Sequence, residues 1–245
     1  MTFAANPLYE VIAATWPSAT VHISGKWTIR DGQDGGKRVS AATANGPILP
    51  ADVPQAERAM RALGQRPLFM LRDGETRLDT LLADIGYEVI DPTNLYQAPI
   101  CKIATQPPPK VSMFCIWEPL QIQYDIWAAG GITAPRFAIM ERVQATKTSL
   151  FGRWNDHPAA TGFVAVHAGT AMVHAVEVLA QQRGQKVATW LLRAAAFWAE
   201  KQGANKLAVL CTESNTAANR LYTSLGMTFS GRYHYRRQKG TEHEH

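Results

Sequence analysis

The chain has 245 residues, of which 46% are apolar, and a formal charge of +5. That is enough apolar side chain for a sizeable core in more chain than one minimal domain needs. No apolar run approaches the roughly 20 residues that cross a bilayer, since even residues 190–199 are broken by Arg193. The start of the chain has no charged-then-apolar export pattern, so a cytoplasmic protein is expected.

Three cysteines, Cys101, Cys115 and Cys211, lack metal-ligand spacing and read as reduced, buried thiols. The positive charge suits an anionic ligand such as a nucleotide, but no nucleic-acid motif accompanies it, and neither a nucleic acid nor a metal is expected. Basic residues cluster only near the end, at Arg232, Arg236, Arg237 and Lys239, where a solvated terminal strand accounts for them.

In chain order, residues 7–16 read as a helix stopped by Pro17, and 21–30 and 37–43 as two strands around Asp31-Gly-Gln-Asp-Gly-Gly36. That glycine-rich loop precedes Lys37, but with a strand expected next it reads as a hairpin turn and not a phosphate cradle. Asp52 suits an N-cap and Pro54 a first turn, opening a helix that stops at Gly64. Residues 67–72 read as a strand, 76–85 as a helix with Leu78, Leu81, Leu82 and Ile85 on one side, and 87–90 and 95–101 as strands.

Gln106-Pro-Pro-Pro-Lys110 is a linker, because consecutive prolines favour an extended spacer. The expected organisation is an α/β segment over 1–105, this linker over 106–110, a second segment over 111–240 and a tail over 241–245. The second segment reads as a strand at 111–117, helices at 120–129 and 135–143, and strands at 147–154, 162–167 and from Ala171 onward. An antiparallel run feeding helix, strand, helix and strand points to a mixed α/β sheet.

The most informative stretch runs from Met172 to Met227. It reads as a strand, a tight turn through Arg183-Gly-Gln-Lys-Val-Ala188, an amphipathic helix, a strand, and an Asn215-capped helix ending at Gly226. A tight turn opening a helix leaves first-turn N–H groups without intrahelical partners, a ready site for a pyrophosphate. Val187, Leu191, Leu192, Ala195 and Trp198 recur at helical spacing, so one face can lie on a sheet. The preceding strand offers backbone groups to an extended arm added as a further strand.

Asn215-x-x-Ala218-x-x-Leu221-Tyr222-x-x-x-Gly226-Met227, with the turn at Arg183, resembles the GNAT family of acyl-coenzyme A dependent N-acetyltransferases. The resemblance covers about the last 130 residues of the chain. The turn departs from the family's Arg/Gln-x-x-Gly-x-Gly/Ala pattern in carrying Lys186 at the fourth position. The resemblance implies a GNAT-like fold in the C-terminal segment, acetyl-CoA as cosubstrate, an amine acceptor walled by the helices of 120–143, and direct attack of that amine on the thioester.

It also implies that the amides of Arg183, Gly184, Gln185, Lys186, Val187 and Ala188 hold the pyrophosphate, that Val176 and Val178 serve the acyl arm, and that Asn215 and Ala218 lie beside it. Tyr222 stands at the family's position for the acid that protonates the leaving thiolate. A base for the amine is sought on the core strand, where alternation puts Met172, His174, Val176 and Val178 on one face and Glu177 on the other. His174 is the first choice and Glu177 the second, with a water relay as the third route.

Leu82-Ala-Asp-Ile-Gly86-Tyr87 echoes Tyr222-Thr-Ser-Leu-Gly226-Met227, so the N-terminal segment reads as a degenerate copy of the same fold without its turn or its tyrosine. A non-catalytic acyl-CoA sensor, or a transferase using another acyl donor, stays open beside the acetyltransferase reading. The sequence leaves the oligomeric state and the acceptor open.

Overall fold

The computed structural model describes residues 6–240, so the tail at 241–245 lies outside the described residues. The N-terminal elements are α1 (Leu8–Thr15), β1 (Thr20–Ser24), β2 (Trp27–Asp31), α2 (Lys37–Ser40), β3 (Thr43–Ala44), α3 (Val53–Ala62), β4 (Leu68–Arg72), α4 (Thr76–Asp84), β5 (Tyr87–Pro99) and α5 (Ile100–Ile103). There follow β6 (Met113–Ile116), α6 (Gln121–Ala129), α7 (Ala134–Arg142), β7 (Lys147–Trp154), β8 (His157–His167), β9 (Thr170–Val178), α8 (Val187–Lys201), β10 (Lys206–Thr212), α9 (Thr216–Ser224) and β11 (Thr228–Gln238).

One mixed sheet of eight strands dominates, in the order β4-β11-β5-β10-β9-β8-β7-β6. It joins the segments on either side of 106–110: β5 lies between β10 and β11, and β11 lies between β4 and β5, all antiparallel. The basic residues of β11, expected on a solvated terminal strand, are therefore on an interior strand, where carboxylates pair with three of them. Arg236 pairs with Asp79, Arg237 with Glu88 and Arg232 with Asp73, while Tyr233 and Tyr235 alternate with them into the core.

The exchanged strands have an approximate two-fold relation. Thr76–Asp84 and Thr216–Ser224 are helices of equal length 140 positions apart, each followed by a glycine with positive φ, Gly86 and Gly226. At the same offset, β4 matches part of β10 and β5 matches β11. Even the irregularity recurs, since Asp91 in β5 and Gly231 in β11 both have positive φ.

Other elements differ from the expected ones. The stretch read as one strand over 21–30 is the β1–β2 hairpin, because Gly25 at φ 59° turns the chain between Ser24 and Trp27. Residues 37–40 are helical, not extended, and the two strands expected over 87–101 are one strand bent at Asp91. Asp52 accepts from the amide of Leu49 and the ammonium of Lys26 and does not cap α3. Of the three free thiols only Cys211 is buried; Cys101 and Cys115 are exposed.

Packing explains why these elements hold. Helix α8 buries Val187, Leu191, Leu192, Ala195 and Ala199 against β8 and β9, and each buried leucine contributes roughly 2–3 kcal/mol of transfer free energy. On the opposite side of the sheet, Trp16 after α1, Trp127 on α6 and Phe163 on β8 form a second core. Among the described residues no helix is long and apolar enough to cross a membrane.

Candidate active site

Strands β9 and β10 pair in parallel from Thr170↔Lys206 to Val173↔Val209 and then separate. A cavity of about 930 Å³ occupies the separation. Val173–Val176 on β9, Leu210–Thr212 on β10, and Asn215 and Tyr222 line one side; residues of the N-terminal segment, Trp16, Arg38, Asp91 and others, line the opposite side.

The separation has a local cause. Between Thr161↔Glu177 and Phe163↔His174 the β8–β9 register shifts by one residue, and Ala175 takes φ 50°. Such a β-bulge gives one strand an extra residue and re-aims the side chains beyond it. The indole N–H of Trp127 donates to the carbonyl of Ala175 at 2.7 Å, which fixes the bulge from the α6 side.

The bulge overturns the expected alternation. Met172 packs with α1 and His174 meets Thr15 and Trp16 on that same side, whereas Val176 and Val178 pack toward α8. Glu177 returns to the α6 side, its carboxylate so close to Gly130 that a Cβ there would sit 2.4 Å from it. His174 and Glu177 therefore share a face, and strict alternation fails because it presumes a regular strand.

Ahead of α8 the chain makes a tight turn with positive φ at both Gly184 (76°) and Lys186 (64°). Lys186 keeps the left-handed conformation that glycine would adopt without strain, at a backbone cost of roughly 1–2 kcal/mol. The first helix-linked amide is that of Trp190, which donates to Lys186. The backbone N–H groups of residues 184–189 have no acceptor among the described residues. With the helix dipole behind them, such amides form a concentrated anion site. Arg183 folds back toward the bulge, donating from Nε to the carbonyl of Val178 at 3.0 Å and from Nη2 to Glu177 at 3.3 Å.

Tyr222 stands in the last turn of α9, one turn past Ala218, on the inner wall of the cavity, 6% exposed. Its hydroxyl has no hydrogen-bond partner among the described residues. Burial, with a smaller contribution from Cys211, raises its pKa above the ordinary phenol value, so it is protonated at neutral pH and serves as a donor. Asn215 caps α9 by accepting from the amide of Ala218 at 3.1 Å. Asn219, absent from the expected set, anchors the β10–α9 corner by donating to the carbonyls of Thr212 and Asn215 while accepting from Tyr96 and Asn94.

His174 is buried with both ring nitrogens engaged. Arg38 Nη1 lies 3.3 Å from Nδ1, and a guanidinium only donates, so Nδ1 accepts; Nε2 then carries the proton and donates to Thr15 Oγ1 at 2.8 Å. Burial first, and Arg38 second, hold its pKa well below the ordinary histidine value. The imidazole is neutral and already spoken for. Glu177 is tied to Arg183 and lies outside the cavity lining.

What the sequence reading missed is the cavity's other wall. Arg38, Arg136, Tyr233 and Tyr235 all reach it. The signal was the Gly35-Gly36-Lys37-Arg38 run, set aside as a hairpin because a strand was expected after it. Among the described residues no group of three or more His, Cys, Asp or Glu side chains is placed to hold an ion.

Two parallel strands part beside a helix start with free amides, and residues 117–227 match the Acetyltransferase (GNAT) family, which supports an N-acetyltransferase. The chain is 26% identical over 239 residues to an uncharacterized N-acetyltransferase, YobR, of Bacillus subtilis, an alignment that covers 93% of this chain and 96% of that one. Among solved structures, a GCN5-related N-acetyltransferase from Kribbella flavida superposes with a TM-score of 0.75 at 17% identity, covering 98% of this chain and 97% of that one. A tandem GNAT protein from the clavulanic acid biosynthesis pathway superposes with a TM-score of 0.59 at 12% identity, covering 95% of this chain and 88% of that one.

Proposed function

We propose that this N-acetyltransferase uses acetyl-CoA as donor and a small amine as acceptor, joined by direct attack in a ternary complex. The observation that carries the reading is a pair: the unclaimed amides of residues 184–189 at the mouth of α8, and the free hydroxyl of Tyr222 on the wall between the parted strands. Acetyl-CoA supplies an activated acyl thioester. The turn through Arg183, Gly184, Gln185, Lys186, Val187 and Ala188 fits its pyrophosphate, with the Lys186 ammonium adding charge to the amides. The backbone at Val176 and Val178 fits its extended arm, with Asn215 and Ala218 across the opening.

Tyr222 donates a hydrogen bond where negative charge collects on sulfur. For the acceptor, His174 and Glu177 are both engaged, so loss of the ammonium proton to water in the cavity is the route this geometry favours. His174 then positions Arg38 and the start of the bulge. The N-terminal segment is a degenerate copy of the GNAT half: it gives two strands, β4 and β5, to the common sheet and a wall to the acceptor cavity, with Leu82 where the C-terminal copy has Tyr222. Exposed free thiols at Cys101 and Cys115 suit a reducing, cytoplasmic setting.

The engagement of both base candidates also favours a second reading, an acyl-CoA sensor without turnover. Titrating acetyl-CoA into the full chain, followed by an amine screen monitored by free thiol release, separates the two. Binding with amine-dependent release, at a KM in the usual range of roughly 1 µM to 1 mM, supports the transferase. Binding without release for any amine supports the sensor, and failure to bind acetyl-CoA overturns the donor assignment.

A further inference from the structure

The acceptor wall of the cavity is charged out of balance. Its lining holds four cationic side chains, Lys37, Arg38, Arg66 and Arg136, against two carboxylates, Asp34 and Asp91. Lys37 pairs with Asp91 at 2.8 Å, which removes one of each. Among the described residues, neither Arg38 nor Arg136 has a carboxylate within salt-bridge distance. Around Arg38 lie His174, the ring of Trp16 5.7 Å from its Cζ, and the phenols of Tyr233 and Tyr235, none of them an anion. Its Nε is buried without a hydrogen-bond partner.

Arg136 approaches the same spot from α7. Its Nη2 lies 3.7 Å from where a Cβ on Gly36 would be, which places the guanidinium beside the start of α2. Burial, and then the like charge of Arg38, lower its pKa. Two guanidiniums facing one cavity, one with an unmet buried donor, leave a polar debt that the protein does not settle. A planar fork of N–H donors matches a carboxylate or a phosphate.

Resting on the transferase reading above, we infer that the acceptor is a small amine that also carries an anionic group, held by Arg38 and Arg136 on the wall opposite Tyr222. Arg38 binds His174, separated from Val176 on β9 only by the bulged Ala175, which puts the anion close to the acyl arm. Amine and anion are therefore only a few bonds apart, as in an amino acid or a phosphorylated aminoalcohol.

The test uses the full chain with CoA bound. Glutarate and inorganic phosphate are added separately, with glutaramide as the neutral control, and thermal unfolding is followed for the wild type and Arg136→Gln. The wild type is expected to be stabilised by at least one of the two anions and not by glutaramide, and the variant is expected to lose that response. Which anion acts distinguishes a carboxylate from a phosphate acceptor. Kinetics then compare β-alanine with β-alaninamide and phosphoethanolamine with ethanolamine. The anionic member of at least one pair should lead in kcat/KM by about 10- to 100-fold, a preference that collapses in Arg136→Gln mainly through KM.

No stabilisation of the wild type by either anion, or equal use of both members of each pair, overturns the assignment. So does a variant that weakens acetyl-CoA binding instead, since the guanidinium would then serve the donor's phosphates. If acetyl-CoA fails to bind the wild type, the transferase reading falls and takes this one with it; if it binds and only neutral amines are acylated, this inference alone fails.

Discussion

The two halves of the exchanged sheet place the same strand–helix–glycine–strand unit in two settings. In the C-terminal unit β10 has a parallel partner for four residue pairs and then parts from it, and Tyr222 faces the gap. In the N-terminal unit β4 has only an isolated parallel bridge, from Phe69 to Ala42 just ahead of β3, and the corresponding space is solid. Trp27, Phe69 and Tyr87 fill it, with ring centroids 5.0 Å and 5.3 Å apart, and Leu82 is fully buried among them. One scaffold thus supports a site where a strand is bulged away and a core where aromatic side chains close the gap. The chemistry follows from what occupies the split, not from the scaffold.

Substitutions at matched positions break this contrast most directly. Tyr222→Phe keeps the ring and removes the donor, so kcat is expected to fall by about 10²- to 10⁴-fold while acetyl-CoA affinity holds; steady-state thiol release and a binding titration measure the two. A variant with wild-type kcat would strip Tyr222 of its role. Leu82→Ala, its counterpart, should instead destabilise the fold by about 2–5 kcal/mol, seen as an earlier urea or thermal transition, with kcat per folded molecule preserved. A rate loss like that of Tyr222→Phe would mean the N-terminal unit takes part in the chemistry.

His174 sharpens the comparison differently, because it ties the halves together through Thr15 and Arg38. Its pKa is held well below the usual 6.5 by burial and by Arg38, so between those values the unfolded chain binds a proton that the folded chain refuses. Its contribution to stability is full above pH of about 6.5 and is lost as pH falls toward the folded pKa, with a limiting slope near 1.4 kcal/mol per pH unit. Urea unfolding at a series of pH values should show this slope in the wild type and lose it in His174→Gln. Equal slopes in both would place the pH dependence in other groups.

Much of the C-terminal half was legible because its signals are local. Apolar spacing marks α8, Asn215 marks the start of α9, and Gly226 its end. The bulge was not, because Ala175 carries no side chain that announces a positive φ; Trp127, 48 positions away, holds it from another helix. The strand exchange was equally hidden. Nothing in the composition of β5 or β11 says that each pairs inside the other's half, and the paired arginines of β11 read as a solvated terminal strand. The N-terminal wall of the cavity was missed for a simpler reason: the glycine-rich run before Arg38 was assigned by what was expected to follow it, and the short helix α2 follows instead of a strand.

The finest test of the two-fold relation uses its glycines. Gly86 and Gly226 end α4 and α9 with φ of 91° and 80°, and a Cβ at either would meet nothing within 4 Å. Substitution by alanine therefore adds no clash at either site, only the cost of holding a side chain in the left-handed region, roughly 1–2 kcal/mol each. If the backbone is the same at both stops, Gly86→Ala and Gly226→Ala should shift the unfolding free energy by amounts that agree within about 0.5 kcal/mol, and the two should add in the double variant, as independent sites do. A large inequality would mean that one turn relaxes where the other cannot. The relation between the halves would then be one of outline only, without a shared backbone requirement at the two stops.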